Sequence, residues 1–190
     1  MVNEPPDYCP RCGGQLVGVD EPTSQRCTDC GEYVFYNPTP SARIAVLDSG
    51  GGSRQGSAAE PRDGDAMLLV TRPDGRWILP GGKVEVGADP DEHAAVELKE
   101  ETNLTVDPED LWLYDLSTYV VFDQRHCVGM EFAVDAASTS GTIEAGDDAG
   151  RARFWTPEQL AASDEPSMTA DELRERLRLA RRALAGEQLV

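Results

Sequence analysis

Lysine is almost missing from this chain. Of its 17 basic residues only Lys83 and Lys99 are lysines, and the 17 stand against 35 acidic residues. The formal charge is −18 and the pI about 4.3. So little positive charge argues against nucleic acid as a partner, because polyanion binding needs Lys and Arg to displace counterions. Long apolar runs are missing too. Nothing approaches the ~20 residues of a membrane-spanning helix, so no membrane partner is expected. The stretch Met1 to Asp7 is acidic and Pro-rich, without a basic n-region or apolar h-region. That pattern does not read as a secretory signal, and the expectation is a soluble, cytoplasmic protein. There is no internal repeat.

What the chain does contain is enough for one ordinary domain with a small appendage. It has 190 residues, 39% of them apolar. Crowded carboxylates with almost no Lys resemble the composition of halophilic, salt-loving archaeal proteins, in which screening softens the repulsion between like charges.

Periodicity sketches the elements. Ala42 to Leu47 reads as a buried strand, Ala66 to Thr71 as the next strand, and Trp77-Ile78-Leu79 as a short third after the Pro73-Asp74-Gly75 turn. Residues 48 to 65 are polar and Gly-rich, an exposed loop. A helix is expected from Pro90 to Thr102, with Asp89 as N-cap, Glu92 closing a capping box and Asn103 as left-handed C-cap. Leu111 to Phe122 and Cys127 to Val134 read as strands joined by a turn at Asp123-Gln124-Arg125, and Arg153-Phe154-Trp155 as a last strand. One helix opens at Thr156, and an amphipathic one runs from Thr169 to Ala185. That second helix packs either on its own domain or on a second chain, which leaves a homodimer open.

The first 37 residues carry two CxxC knuckles, Cys9-Pro10-Arg11-Cys12 and Cys27-Thr28-Asp29-Cys30, each followed by Gly and separated by 14 residues. Two thiolates three apart can reach one Zn²⁺ from a tight turn, and two such turns complete a tetrahedral S₄ site. Four protein ligands fill the coordination shell, so the expected zinc is structural, and Arg11 and Arg26 are the only hint of nucleic-acid binding there. The fifth cysteine, Cys127, lies in an apolar strand and reads as core.

Glu97, Glu100 and Glu101 occupy i, i+3 and i+4 of the expected helix and so share one face. Three like charges that close repel unless a cation sits among them, and oxygen ligands suit a hard divalent ion, Mg²⁺ or Mn²⁺. Upstream, Leu79-Pro80-Gly81-Gly82-Lys83-Val84-Glu85 is a Gly-rich loop able to pass close to a ligand and to bring Glu85 beside the helix.

From Gly82 through Ala88 to Val96-Glu97-Leu98-Lys99-Glu100-Glu101-Thr102-Asn103-Leu104, the order of residues closely resembles the 23-residue box of the Nudix hydrolases. Asn37-Pro38 before a strand, Trp77 to Gly82 before the box, and Gly146-Asp147-Asp148-Ala149 leading to Phe154-Trp155 extend that likeness over roughly residues 38 to 165. The four-cysteine segment ahead of Asn37 resembles the family's zinc-ribbon branch.

The resemblance implies an α/β/α sandwich with a mixed sheet. It further implies hydrolysis of a nucleoside diphosphate linked to another moiety, with Glu97, Glu100 and Glu101 as metal-binding and catalytic glutamates and Glu85 as a further metal ligand. ADP-ribose or FAD comes first among substrates by likeness to ribbon-bearing relatives. Gly81, Gly82, Arg43 and Arg72 are candidates for substrate binding, with Arg151 and Arg153 behind them, and Glu131, Glu144, Asp147 and Asp148 are candidates for a further acid. The chain departs from the box at Ala88 (family glutamate), Val96 (family arginine) and Asn103 (family glycine), and His93, one turn before Glu97, could orient that carboxylate in the arginine's stead. The expected organisation is a zinc ribbon over 1–37, a Nudix hydrolase domain over 38–165 and an amphipathic helix over 166–190. The rival reading is a catalytically weakened Nudix module that senses a nucleotide or binds a protein.

Overall fold

Short β-rich segments broken by Cys, Pro and Gly precede a longer run of alternating apolar strands, and the computed structural model follows that change of texture. It describes residues 6–20, 24–49, 64–121, 125–146, 149–165 and 168–187. The Gly-rich loop residues 50–63, the turn residues Asp123 and Gln124, and Asp147 and Asp148 lie outside the described residues. Two compact units result, Met1–Pro40 with Thr118–Val128, and Ser41–Ser117 with Gly129–Val190.

In the first unit, β1 (Leu16–Asp20), β2 (Ser24–Cys27) and β3 (Tyr33–Phe35) form an antiparallel three-stranded sheet in that order. Val17 pairs with Arg26, which pairs with Tyr33, and the Arg26 guanidinium lies 5.6 Å from the Tyr33 ring centre.

The second unit is built on a sheet of β4 (Thr39–Asp48), β5 (Ala66–Thr71), β6 (Trp77–Ile78), β7 (Gly81–Lys83), β8 (Trp112–Val121), β9 (Arg125–Asp135) and β10 (Ala152–Trp155). Its order is β10-β5-β4-β9-β8, with β6 on β5 and β7 on β4. All six residues of β5 are buried, as expected of a strand covered on both faces. Side-chain alternation splits the core accordingly. Ala45, Leu47, Met67 and Leu69 face one cluster, which also holds Leu173, Leu177 and Ala180. Ile44, Val46 and Leu68 face the other, with Ala94 and Leu98. The fold is the expected mixed sheet between helices.

Helix α1 (Pro90–Thr102) has the expected bounds, with Pro90 at its first position and Asp89 in extended N-cap conformation. The expected capping box does not form. Asp89 makes no side-chain cap bond, and the Glu92 backbone N–H donates instead to Asp91 Oδ1 at 2.9 Å. Complete capping boxes occur where the sequence offers Thr: Thr156 with Gln159 at α2 (Pro157–Ala161), and Thr169 with Glu172 at α3 (Ala170–Leu184). The apolar stripe of α3 is buried in its own unit, which answers where that helix packs. Arg181, from α3, donates to Asp65 and, at 3.4 Å, to Ser49 Oγ. Burial of Cys127 at 4% exposed fits its reading as a core residue.

Candidate active site and four-cysteine centre

The segment expected as a Gly-rich loop contains strand β7. Ala42 pairs with Gly82 and Arg43 with Gly81, because two glycines let the chain lie flat along β4. Close approach is the reason for Gly82: a Cβ there would overlap the Glu97 carboxylate. Gly81 presents its backbone N–H to Glu101 Oε2 at 2.8 Å. Glu97 and Glu101, one helical turn apart, therefore step along β7. Glu100 points to solvent.

Glu101 is only 4% exposed, and burial pushes its carboxyl up to about 7 against the pull of the Gly81 N–H and the Arg72 charge. Arg72 Nη1 donates to Glu101 Oε1 at 3.3 Å, so one candidate substrate arginine is engaged with a box carboxylate. Arg43 adds a weaker downward pull on the same group. Burial also raises the Glu97 carboxyl; His93 opposes this and the Glu100 charge reinforces it. His93 Nε2 lies 3.1 Å from Glu97 Oε1, an ion-pair distance, but the contact lacks hydrogen-bond alignment.

Of the departures from the box, Asn103 has a local conformational role. Asn103 adopts the left-handed cap conformation at φ 61°, with its N–H on Lys99 O and its Nδ2 donating to Thr142 O at 3.0 Å. Val96 is half exposed on the outer side of α1, and Ala88 sits in a turn, its N–H donating to Glu85 O at 3.2 Å. Glu85 is exposed. Glu85, Glu97, Glu100 and Glu101 are not drawn into one tight group. Among the described residues, the cysteines alone bring three or more Cys, His, Asp or Glu ligand atoms within 4.8 Å of one another.

Three other candidate positions lie elsewhere. Glu131 accepts from Tyr114 Oη at 2.6 Å and pairs with Arg176 of α3, and is thereby committed to the α3 side of the sheet. Arg151 and Arg153 stack on Trp77 and Trp155, 4.8 Å and 3.5 Å from the ring centres, and Arg151 also pairs with Glu165. Both remain exposed while lying over these buried rings. Glu144 is near the box by a route the sequence did not reveal. Its backbone N–H donates to Thr102 O at 3.0 Å and that of Gly146 to Glu101 O at 3.2 Å, so this loop caps the carbonyl end of α1.

The all-oxygen donor set suits a hard divalent cation, and two desolvated carboxyls raised toward neutrality gain most from nearby positive charge. Glu97 and Glu101 would hold it, with Glu100 on the solvent side.

The cysteine centre is geometrically complete. Each knuckle closes on itself, Gly13 N–H to Cys9 O at 2.9 Å and Gly31 N–H to Cys27 O at 3.1 Å, with both glycines at positive φ. The sulfurs of Cys9 and Cys30 are 3.7 Å apart, and those of Cys12 and Cys27 3.5 Å. Sulfurs at ~2.3 Å around a tetrahedral zinc are ~3.8 Å from each other, whereas a disulfide needs ~2.05 Å. The Cys30 backbone N–H leads the groups that pull the Cys27 thiol down to about 7. Against the Gly14 and Glu32 backbone N–H groups, the crowding of neighbouring sulfurs pushes Cys12 up to about 12 and Cys30 up as well, a mutual repulsion of thiolates that a bound cation would relieve.

A mixed sheet between helices, with a glutamate-bearing helix laid along a Gly-Gly strand, defines a known class of α/β protein. Residues 56–177 match the NUDIX domain, and the chain belongs to that family. Solved structures agree in fold. A NUDIX hydrolase from Nitrosomonas europaea is similar over 90% of both chains, at 19% identity and a TM-score of 0.60. A MutT NUDIX hydrolase from Burkholderia pseudomallei is similar over 76% of this chain and 98% of its own, at 20% identity and TM-score 0.53. A C. elegans Ap4A hydrolase is similar over 78% and 98%, at 18% identity and TM-score 0.52. No curated protein matches by sequence.

Proposed function

We propose that the protein is a Mg²⁺- or Mn²⁺-dependent pyrophosphohydrolase acting on a nucleoside diphosphate linked to another moiety, with ADP-ribose- or FAD-like compounds as the first substrates to test. The observation that carries this reading is the pair Glu97 and Glu101, both desolvated and both seated on β7 of a Nudix domain. Glu97, Glu100 and Glu101 hold the cation, and Glu85 joins them from the solvent side. When bound, the cation supplies charge neutralisation of the diphosphate and a water of lowered pKa. Gly81 and Arg72 hold Glu101 in place, and a carboxylate of the trio accepts the proton of the attacking water. The exposed part of Arg72, with Arg43, offers N–H groups to phosphate oxygens.

The reading extends to the rest of the chain. Residues 1–37 form a structural zinc ribbon on Cys9, Cys12, Cys27 and Cys30, 38–165 the hydrolase domain, and 166–190 its C-terminal helix. The protein works in the cytoplasm at high salt. The assay is phosphate or AMP release from a panel of nucleoside diphosphate derivatives in molar KCl with Mn²⁺, comparing wild type with Glu100→Gln. Turnover by wild type that falls at least about a hundredfold in the variant supports hydrolysis.

A second reading, a catalytically weakened module that senses a nucleotide or binds a protein, draws on the half-exposed Val96 and on the absence of a tight carboxylate group. Equal, negligible turnover in both proteins favours it.

A further inference from the structure

We propose that His93 is a positioning residue for Glu97, fixing one carboxylate oxygen so that the other faces the ligand. The inference rests on the metal-dependent reading above.

The argument begins with burial. His93 is 8% exposed, on the turn of α1 preceding Glu97, and its Nε2 has no hydrogen-bond partner. An imidazole nitrogen shut away unpaired carries a desolvation cost that an alanine, such as the adjacent Ala94, would not. The charged atom beside that nitrogen is Glu97 Oε1, at 3.1 Å. Against the ionised carboxylate a bare ring nitrogen would set lone pair against lone pair, so the tautomer with N–H at Nε2 is the one that suits this contact. A small turn of the ring converts the contact into a hydrogen bond.

The same oxygen, Glu97 Oε1, is also the atom of the carboxylate nearest Gly82, where a Cβ would overlap it. Glu97 Oε1 therefore lies against both a strand with no side chain and a ring with one N–H, which leaves Oε2 to face a ligand. A carboxylate on a three-torsion side chain would otherwise sample many orientations, and losing them beforehand removes that entropy from the cost of binding. The Arg72 charge also pulls on the Glu97 carboxyl, but its guanidinium is bonded to Glu101. Val96, half exposed, contributes nothing to it.

Geometry also supplies the control. The amide Nε2 of glutamine stands as many bonds from Cα as the Nε2 of histidine, so His93→Gln can return a donor to the same place. His93→Asn is one bond short, and His93→Ala has none. The experiment titrates the full-length protein with Mn²⁺ alone, reading free Mn²⁺ by electron paramagnetic resonance, with thermal midpoints recorded alongside. The expected result is about tenfold weaker Mn²⁺ binding in His93→Ala and His93→Asn, and binding within about threefold of wild type in His93→Gln. If the alanine variant does not fold, the Asn and Gln variants carry the comparison.

Wild-type affinity in a folded His93→Ala or His93→Asn overturns the proposal and leaves the metal-dependent reading intact. So does a pattern in which all three variants lose stability equally and bind equally. Failure of wild type itself to bind Mn²⁺ overturns both.

Discussion

Arg72 reaches across 29 residues of sequence to donate to Glu101 Oε1 at 3.3 Å, joining the end of β5 to the last turn of the box helix. The pair is lopsided in burial, with the arginine side chain 34% exposed and the glutamate 6%. Removing the arginine leaves a buried carboxylate without its cation, the costly way to break such a pair. Arg72→Ala should lower stability by about 1–2 kcal/mol in metal-free protein, the exposed arginine tempering the loss. Glu101→Gln should recover most of that loss in the double variant. A double-mutant cycle by urea unfolding in EDTA reads the coupling directly, and additivity of the two changes would contradict it.

A buried carboxyl that titrates at about 7 in the fold and near its ordinary 4.5 in the unfolded chain binds more protons folded than unfolded between those values. Stability from this group is thus complete below pH 4.5 and lost as pH rises through 7, at most about 3 kcal/mol. Thermal midpoints of the metal-free protein at pH 5.5 and pH 8 should fall with pH more steeply for wild type than for Glu101→Gln. Parallel pH profiles would remove Glu101 as the source.

Sulfur–sulfur distances of 3.5 and 3.7 Å fit a tetrahedral metal. Freshly purified protein should contain about one zinc per chain, with X-ray absorption reporting four sulfurs at ~2.3 Å. Stripping the metal should melt the β1–β3 sheet first, since a unit so poor in core depends on its cross-link. Metal analysis without zinc would refute the assignment.

With 35 acidic against 17 basic residues, self-repulsion weakens only when salt screens it. The thermal midpoint should decline steadily as KCl is diluted from molar to tens of millimolar. A flat profile would end the halophilic reading.

Much of this architecture could be read from periodicity. The bounds of β5 from Ala66 to Thr71, those of α1 from Pro90 to Thr102, and Asn103 as a left-handed cap were all legible, because each follows from local chemistry. Strand β7 was not. Pro80-Gly81-Gly82 has the composition of a loop, and only its register on Ala42 and Arg43 makes it a strand. Three contacts were equally invisible: Arg72 on Glu101, Glu131 on Arg176, and the Glu144–Gly146 loop on the end of α1. In each, partners far apart in sequence meet through sheet topology, and spacing carries no trace of that. His93 beside Glu97 was within reach, being an i,i+4 pair on one helix.

Arg181 binds Asp65 across 116 residues and Ser49 across 132. On a ribosome, both acceptors emerge long before their donor exists. Until α3 is translated, the Asp65 carboxylate must stay wetted, and the Met67–Leu69 side of β5 stays uncovered. Co-translational folding of this chain should thus stall at an open-faced sheet that depends on salt or a chaperone for solubility, sealed in one late step when the basic helix arrives.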